Sequence, residues 1–404
     1  MKLAVFAAPA TNTGLVEPPL NPAIWNGEAG ASVLLTSGEY RTSAVDHRVP
    51  GRSMGFAFER NYRSGTAGYG PLGAAGWSSP YMAHIREIPV DYEREDPTNP
   101  SSRLVPKSLL VEYHVGDGRV FRFISAGQNN ACPSGYQIDP VMSLCAPHGL
   151  YLRPQKLTTG GYRLIGPARD ALLFDARGRL VEISDRHRQL GAKEKKGSTL
   201  TLRHDAYGQL IGIEDELGRY YRLSYEMEPS VPRYGLLKEL VDLSGRTVTY
   251  EFDTKRRLEA VALPAVTNTA SGYVGAYDYT GSSRPTIRYR YTTQVFAVTA
   301  PLHGEFSPLR LAGMSLPSFL PGQPERLRVV YDTATARVAT LSVPDPANRN
   351  GDGTSEGLKT SFTYGPAGTP VATLVTVDAP WTTRQRYELL DGHIAAVQDD
   401  EDVP

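Results

Sequence analysis

From Val33 onward the chain alternates apolar and polar positions in short runs separated by glycine-containing turns. A period of two puts every second side chain on one face, so each run predicts a β-strand with one buried side. Val33–Tyr40 reads as a strand closing in a turn, and Phe56–Ser64 as a half-buried strand of alternating aromatic and polar positions. Further strands are predicted at Leu109–Val115, Val120–Ile124, Gly161–Ile165 and Ala171–Phe174, the second of them after a hairpin turn at Gly116-Asp117-Gly118. The 3.6-residue period of a helix is missing apart from a candidate turn or two near Leu389–Gln398.

Beyond Phe174 the pattern repeats. Asp175 with Gly178, Asp205 with Gly208, Asp215 with Gly218 and Asp242 with Gly245 each stand between two strand-like runs. Aspartate opens such a turn by bonding its own backbone, and glycine three residues on supplies the positive φ that reverses the chain. Each unit is therefore read as one β-hairpin. The aromatic-Asp pairs Phe174-Asp175, Phe252-Asp253 and Tyr331-Asp332 lie 78 and 79 residues apart, which suggests four units of about 20 residues in each interval. Tyr225–Tyr234 and Leu263–Arg284 lack the device and read as insertions. The fold class expected is all-β, an antiparallel sheet of stacked hairpins with few helices.

Composition agrees with this and narrows function. Glycine (39) and proline (31) punctuate helices, and tyrosine (23) outnumbers phenylalanine (11), as suits strands with one wet face. Lys+Arg and Asp+Glu are 43 each, which removes the electrostatic basis for binding nucleic acid. No apolar run is long enough for a transmembrane helix. Residues 1–32 form a proline-rich leader or extended arm, whose first ten residues are a candidate export signal. Cys132 and Cys145, 13 residues apart in a Pro/Gly-rich stretch, are either a disulfide worth about 3 kcal/mol in an oxidising compartment or two free thiols.

Candidate chemistry is sparse. Asn348, Asn350 and Asp352 alternate ahead of Gly353, like the first half of a calcium loop, but Lys359 stands where the bidentate glutamate belongs. A polar hairpin loop is the competing reading, and Ca2+ is the one cofactor with any candidate site. The eight histidines are scattered and read as surface or strand residues. Gly313-Met314-Ser315-Leu316-Pro317 begins like a nucleophile elbow but carries proline at its last position. The adjacent pairs Asp215-Glu216 and Asp399-Asp400 point to opposite faces of a strand and read as solvated charge. A locally basic region, Ser184–Arg188 with Lys193–Gly197, reads as a guard on a strand edge or a partner patch. The chain is expected to be non-enzymatic. Phe56, Phe58, Tyr62, Trp77, Tyr221, Tyr225, Tyr250 and Phe252 are expected to pack the sheet or line one side of it.

A strand ending in tyrosine or phenylalanine, then Asp-x-x-Gly-Arg, then another strand, resembles the YD repeats of the Rhs and teneurin group. The preceding stretch resembles the segment that opens the repeats in bacterial Rhs proteins: Gly38-Glu39, Asp46, Pro50-Gly51, Arg60-Asn61-Tyr62-Arg63-Ser64, Gly73 and Gly76-Trp77, with one extra residue at Ala74-Ala75. The resemblance covers 37–255 well and 256–404 loosely. It implies a sheet wound into a spiral shell, with Gly38, Glu39, Gly51, Arg60, Tyr62, Trp77, Asp175, Gly178, Asp215, Gly218, Asp242 and Gly245 as structural residues. It divides the chain into an N-terminal β region at 33–165 and degenerate hairpins at 166–404 ending in an acidic tail. The function it implies is a shell segment enclosing or presenting an effector in polymorphic toxin delivery, secreted or at the cell surface. The alternative is a surface module that binds carbohydrate or protein. The Pro-x-x-Asp-x-x-Gly segment that closes such shells is not found. The expected partner is a C-terminal effector or a neighbouring YD-repeat segment covering an open sheet edge.

Overall fold

The computed structural model describes residues 33–399 except 36, 52–53, 66–69, 75, 95–97, 99–100, 102–103, 126–131, 133–135, 140–143, 148–149, 188–196, 268–281, 294–308, 316–324, 344–357, 366–373, 379–383 and 391–392. The leader, the calcium-loop candidates Asn348, Asn350 and Asp352, the acidic tail from Asp400 and the basic run at 193–196 lie outside the described residues.

Three main sheets form, all antiparallel. The first is β1 (Val33–Leu34), β2 (Glu39–Val49), β3 (Phe56–Arg63) and β4 (Trp77–Ser78), in that order. A 3-10 turn at Pro80–Met82 leads to the second: β5 (His84–Arg94), β6 (Leu104–His114), β7 (Val120–Ser125), β8 (Tyr136–Asp139) and β9 (Leu144–Pro147), ordered β5-β6-β7-β9-β8. The third has 18 strands. It begins with β10 (Arg153–Lys156), β11 (Tyr162–Ile165), β12 (Ala171–Phe174), β13 (Leu180–Ser184), β14 (Thr199–His204), β15 (Leu210–Asp215), β16 (Tyr220–Tyr225), β17 (Leu237–Val241), β18 (Thr247–Phe252) and β19 (Leu258–Ala262). A two-stranded excursion, β20 (Val266–Thr267) with β21 (Ser282–Ser283), interrupts it within the predicted insertion. It resumes with β22 (Thr286–Tyr291), β23 (Leu311–Met314), β24 (Leu327–Tyr331), β25 (Val338–Val343), β26 (Leu358–Gly365), β27 (Leu374–Asp378), β28 (Gln385–Leu390) and β29 (His393–Asp399). Apart from that excursion, across which β19 pairs with β22, each strand pairs with the next in chain order, so the long sheet is one meander of hairpins.

Register gives this sheet two unlike faces. Leu164, Leu172, Ile183 and Leu200 are successive cross-strand partners, and Leu202, Ile213 and Tyr221 continue the row; all are buried. The alternate row, Arg163, Leu173, Glu182, Thr201, Glu214 and Tyr220, is half-buried or exposed. Period two along each strand and in-register pairing across strands together produce one continuous apolar face.

Several expectations need correction. The long sheet begins at Arg153 and not at 166, because Tyr162 and Leu164 of β11 bury on the same face as β12. Leu389–Gln398 is no helix: β28 and β29 pair there, with Tyr387 opposite Val397, and strand pairing overrides a weak local helical preference. The 78- and 79-residue intervals do not each hold four units. A β-bulge marks the residue ahead of the turn at Phe174, His204, Tyr225, Phe252, Tyr291 and Tyr331, successive units at one end of the sheet. Three hairpin steps therefore separate Phe174 from Phe252, and two separate Phe252 from Tyr331. Insertions of unequal length make the spacings coincide. Strand β5 escaped the sequence reading because Pro89 interrupts it; β5 is an edge strand, where a missing N–H is tolerated.

Candidate functional site

The turns are built as the sequence suggests, with an addition. In Asp175, Asp215 and Asp242, Oδ1 accepts the backbone N–H groups two and four residues on, and Oδ2 accepts the side chain of the arginine at the fourth, Arg179, Arg219 and Arg246. Gly178, Gly218 and Gly245 take φ of 77, 74 and 77°. Asp253 repeats the arrangement with Arg257, although Arg256 replaces the glycine at φ 63°. Burial pushes the Asp175 and Asp242 carboxylates up, but the arginine and backbone hydrogen bonds outweigh it and hold both below the ordinary aspartate value. Asp215 is not solvated charge: it is buried and also accepts the Tyr221 hydroxyl at 3.1 Å. Tyrosines at the bulges link one hairpin to the preceding one, since Tyr225, Tyr291 and Tyr331 donate to the carbonyls of Leu210, Leu258 and Leu311.

The densest cluster of sequence-predicted residues lies where the first sheet meets the apolar face of the long one. Phe56–Arg60 of β3 are all buried, so this strand is covered on both faces and is not half-buried as its alternation predicts. Its even positions meet successive strands of the long sheet. Phe56 stacks on Tyr221 of β16, ring centroids 3.7 Å apart, and Phe58 packs edge-on to Tyr250 of β18. Arg60 donates to the Tyr289 hydroxyl of β22 at 3.0 Å, and the Tyr62 hydroxyl accepts the Leu311 N–H of β23 at 2.8 Å. Strand β3 thus crosses the long strands instead of running along them. Its odd positions face the 116–118 turn, where the Asp117 charge acts on Glu59 and the Asn61 amide donates to the Gly116 carbonyl, while Tyr81 stacks on Phe56 and Phe58.

Arg60 is the centre. Its side chain is fully buried and bonds Asp46 through Nε at 2.5 Å and Nη2 at 2.7 Å, and its guanidinium lies 4.8 Å from the Trp77 ring. Asp46 also accepts the Tyr250 hydroxyl at 2.9 Å, and the Trp77 indole N–H donates to Tyr291 at 2.8 Å. Beside it His47, buried and not a surface residue, pairs with Asp242 at 3.0 Å; burial keeps its pKa below the ordinary imidazole value against the pull of that carboxylate. Glu39 pairs with Arg63 at the rim.

Backbone contacts extend this brace. Val338 N–H donates to the Gly38 carbonyl at 2.8 Å, Leu237 N–H to Pro71 at 2.7 Å, Ala74 N–H to Arg256 at 2.8 Å, and Ile85 N–H to Gly178 at 2.8 Å. A side chain at Gly38, φ 68°, would strike Arg337, and one at Gly51 the Met54 carbonyl. The brace therefore reaches from β16 to the start of β25, and β5 of the second sheet adds the bond to the turn after β12. The eight aromatic residues singled out from the sequence are all buried in it or in the adjoining sheet.

Chemically this arrangement joins two layers. Among the described residues no group of three or more His, Cys, Asp or Glu is placed to hold a metal, and no helix is long and apolar enough to cross a membrane. Cys132 and Cys145 form a disulfide that ties Cys132 to β9. Ser315 accepts the Arg288 N–H as part of the β22–β23 pairing region. A shallow groove on the outer face lies between the turns after β15 and β17, lined by Tyr220, Arg222, Val241 and Leu243 among others. Sequence reasoning missed His47 and Tyr289 in the brace; alternation marks them as strand residues and nothing local marks their partners.

The family model described as "Domain of unknown function (DUF6531)" matches residues 30–123, which hold the first sheet, β5, β6 and most of β7. No curated protein matches the sequence. Solved structures similar to the chain include a crystal structure of TcdB2-TccC3-TEV (11% identity, 90% of this chain and 23% of that one, TM-score 0.18). A Photorhabdus luminescens Tc holotoxin pore (10%, 91% and 23%, TM-score 0.18) and a crystal structure of TcdB2-TccC3-Cdc42 (10%, 91% and 21%, TM-score 0.19) are others. The chain spans less than a quarter of the length of these solved chains.

Proposed function

We propose that the chain is a non-enzymatic structural segment of a YD-repeat β-shell, which encloses or presents an effector carried on its C-terminal side. The observation that carries this reading is the single chain-order meander of 18 strands whose one apolar face is filled crosswise by the N-terminal strands. Hairpins of this kind bury little alone and need neighbours and a second layer. The partner is a further segment pairing with β29: Val397 there is half exposed although it continues the buried row through Tyr387. The disulfide supports export to an oxidising compartment.

The test is protease protection of a reporter enzyme fused after Pro404 in the full chain. Enclosure is expected to preserve the reporter at a protease dose that destroys the free reporter, and digestion at the free rate overturns enclosure. A second reading, a surface module binding carbohydrate or protein, is supported by Tyr207, Tyr234 and Leu243, which project from turns, and by the Tyr220–Arg222 groove. Glycan-array binding abolished by Tyr220→Ala would favour it.

A further inference from the structure

We propose that the stacked imidazoles of His84 and His114 form an acid-sensitive latch at the seam between the five-stranded sheet and the long sheet. The two histidines are direct cross-strand partners on β5 and β6, with ring centroids 4.3 Å apart and planes 9° from parallel. The seam runs through the same residues. His84 forms a β-bridge with Arg179, and the Ile85 N–H donates to the Gly178 carbonyl. A methyl group at Gly178 would lie 1.9 Å from the Ile85 oxygen, so turn and strand touch backbone to backbone.

The charges facing the pair are unbalanced. Arg86 flanks His84 on β5, and Arg179 approaches from the turn after β12, already engaged with Asp175. His204 on β14 lies near Arg179 and adds a third imidazole. On the acidic side stands Glu112, which holds His114 at 3.2 Å and Arg122 of β7 at 2.9 Å at once. Neutral rings stack at little cost. Two imidazolium rings at that spacing repel, and a single carboxylate already shared with Arg122 answers them.

The sign follows from the direction of the shifts. Desolvation of the stacked ring, and then the His114 charge, hold His84 below the ordinary imidazole value, and desolvation, then Arg179, does the same to His204. A seam whose closed form binds fewer protons than its open form is stable above the ordinary imidazole range and weakens as pH falls through it. Acid is therefore expected to release β5–β9 from the turn after β12 ahead of the Arg60 brace, where His47, also held below the ordinary imidazole value, has the Asp242 carboxylate facing it. This goes beyond the shell reading and holds whichever functional reading is right.

The experiment is amide hydrogen exchange on the full chain at about pH 7.5 and about pH 5, corrected for intrinsic exchange. Protection at 84–88 and 110–114 is expected to fall several-fold at the lower pH relative to 56–63. In His84→Gln/His114→Gln that differential fall is expected to vanish with protection at the higher pH retained. An unchanged differential in the wild type, or its persistence in the double variant, overturns the proposal. Should the variant fold poorly, the imidazole carbon-proton signals of His84 in the wild type decide: titration at or above the ordinary value overturns the proposal, and titration below it is the expected result.

Discussion

Replacing Asp46 by alanine isolates the energetics of the brace. Its carboxylate accepts two bonds from Arg60 and one from Tyr250, and both members of the ion pair have side chains with 0% exposure. Burial pushes the Arg60 guanidinium down, but Asp46 holds it far above the ordinary arginine value. A guanidinium does not release its proton, so truncating its partner strands a buried cation, at a cost of about 3–5 kcal/mol. The lost Tyr250 bond adds about 1 kcal/mol. Asp46→Leu/Arg60→Met removes both charges and keeps apolar bulk against Trp77 and Tyr289. It is expected to lie within about 1–2 kcal/mol of wild type, helped by the Arg60 Nη1 having no hydrogen-bond partner to lose. The assay is urea unfolding in a Trp25→Phe/Trp381→Phe background, with Trp77 fluorescence reporting the brace and circular dichroism the long sheet. A single-variant loss below about 1 kcal/mol, or a double variant less stable than Asp46→Ala, refutes the argument.

Gly178→Ala and Gly218→Ala share a positive φ, 77 and 74°, but a methyl at Gly178 meets the Ile85 carbonyl whereas one at Gly218 meets nothing within 4 Å. Gly218→Ala is expected to cost about 1–2 kcal/mol and Gly178→Ala distinctly more, read from melting curves. Trp77→Phe removes the donor to Tyr291 and is expected to cost about 1–3 kcal/mol in urea midpoints, because the hydroxyl stays buried. Burial first, and the Asp117 charge second, raise Glu59 from 4.5 to about 7. The native state then holds a proton that the unfolded chain gives up, so this group's contribution falls as pH rises between those values. Glu59→Gln is expected to stabilise above about pH 7, by roughly 3 kcal/mol at most, and to gain nothing below about pH 4.5, so a pH-independent difference would contradict it. Reducing the Cys132–Cys145 disulfide is expected to cost about 3 kcal/mol, measured by melting with and without reductant.

What the sequence makes legible is what local chemistry determines. Asp175, Asp215 and Asp242 are recognisable because a turn needs their carboxylate and a glycine at a set distance, and the strands between them because burial of one face imposes period two. Gly38, Asp46, Arg60, Tyr62 and Trp77 are visible through the motif resemblance. Their partners are not, since His47 reaches Asp242 across 195 residues and Arg60 reaches Tyr289 across 229. Periodicity holds no information at that range. It says that Tyr289 has a buried side and leaves open what buries it. The same limit explains β3: alternation predicts one covered face, and the second cover, the 116–118 turn, comes from a loop whose packing no local pattern reports.

The brace changes how the long sheet should open. In a meander where each hairpin touches only its neighbours, stability is a sum of nearest-neighbour terms and the array can fray from any weak unit. Here one layer is bonded at Asp242, Arg256, Tyr289, Leu311 and Val338, so units between β17 and the start of β25 share a common partner. Opening any of them exposes part of the same core, which raises their cooperativity beyond the nearest neighbour. The strands after β25 lie past the last of these bonds. Exchange protection should therefore step down near Val338 and not decline evenly along the chain, because the common layer stops there while hairpin pairing continues to β29.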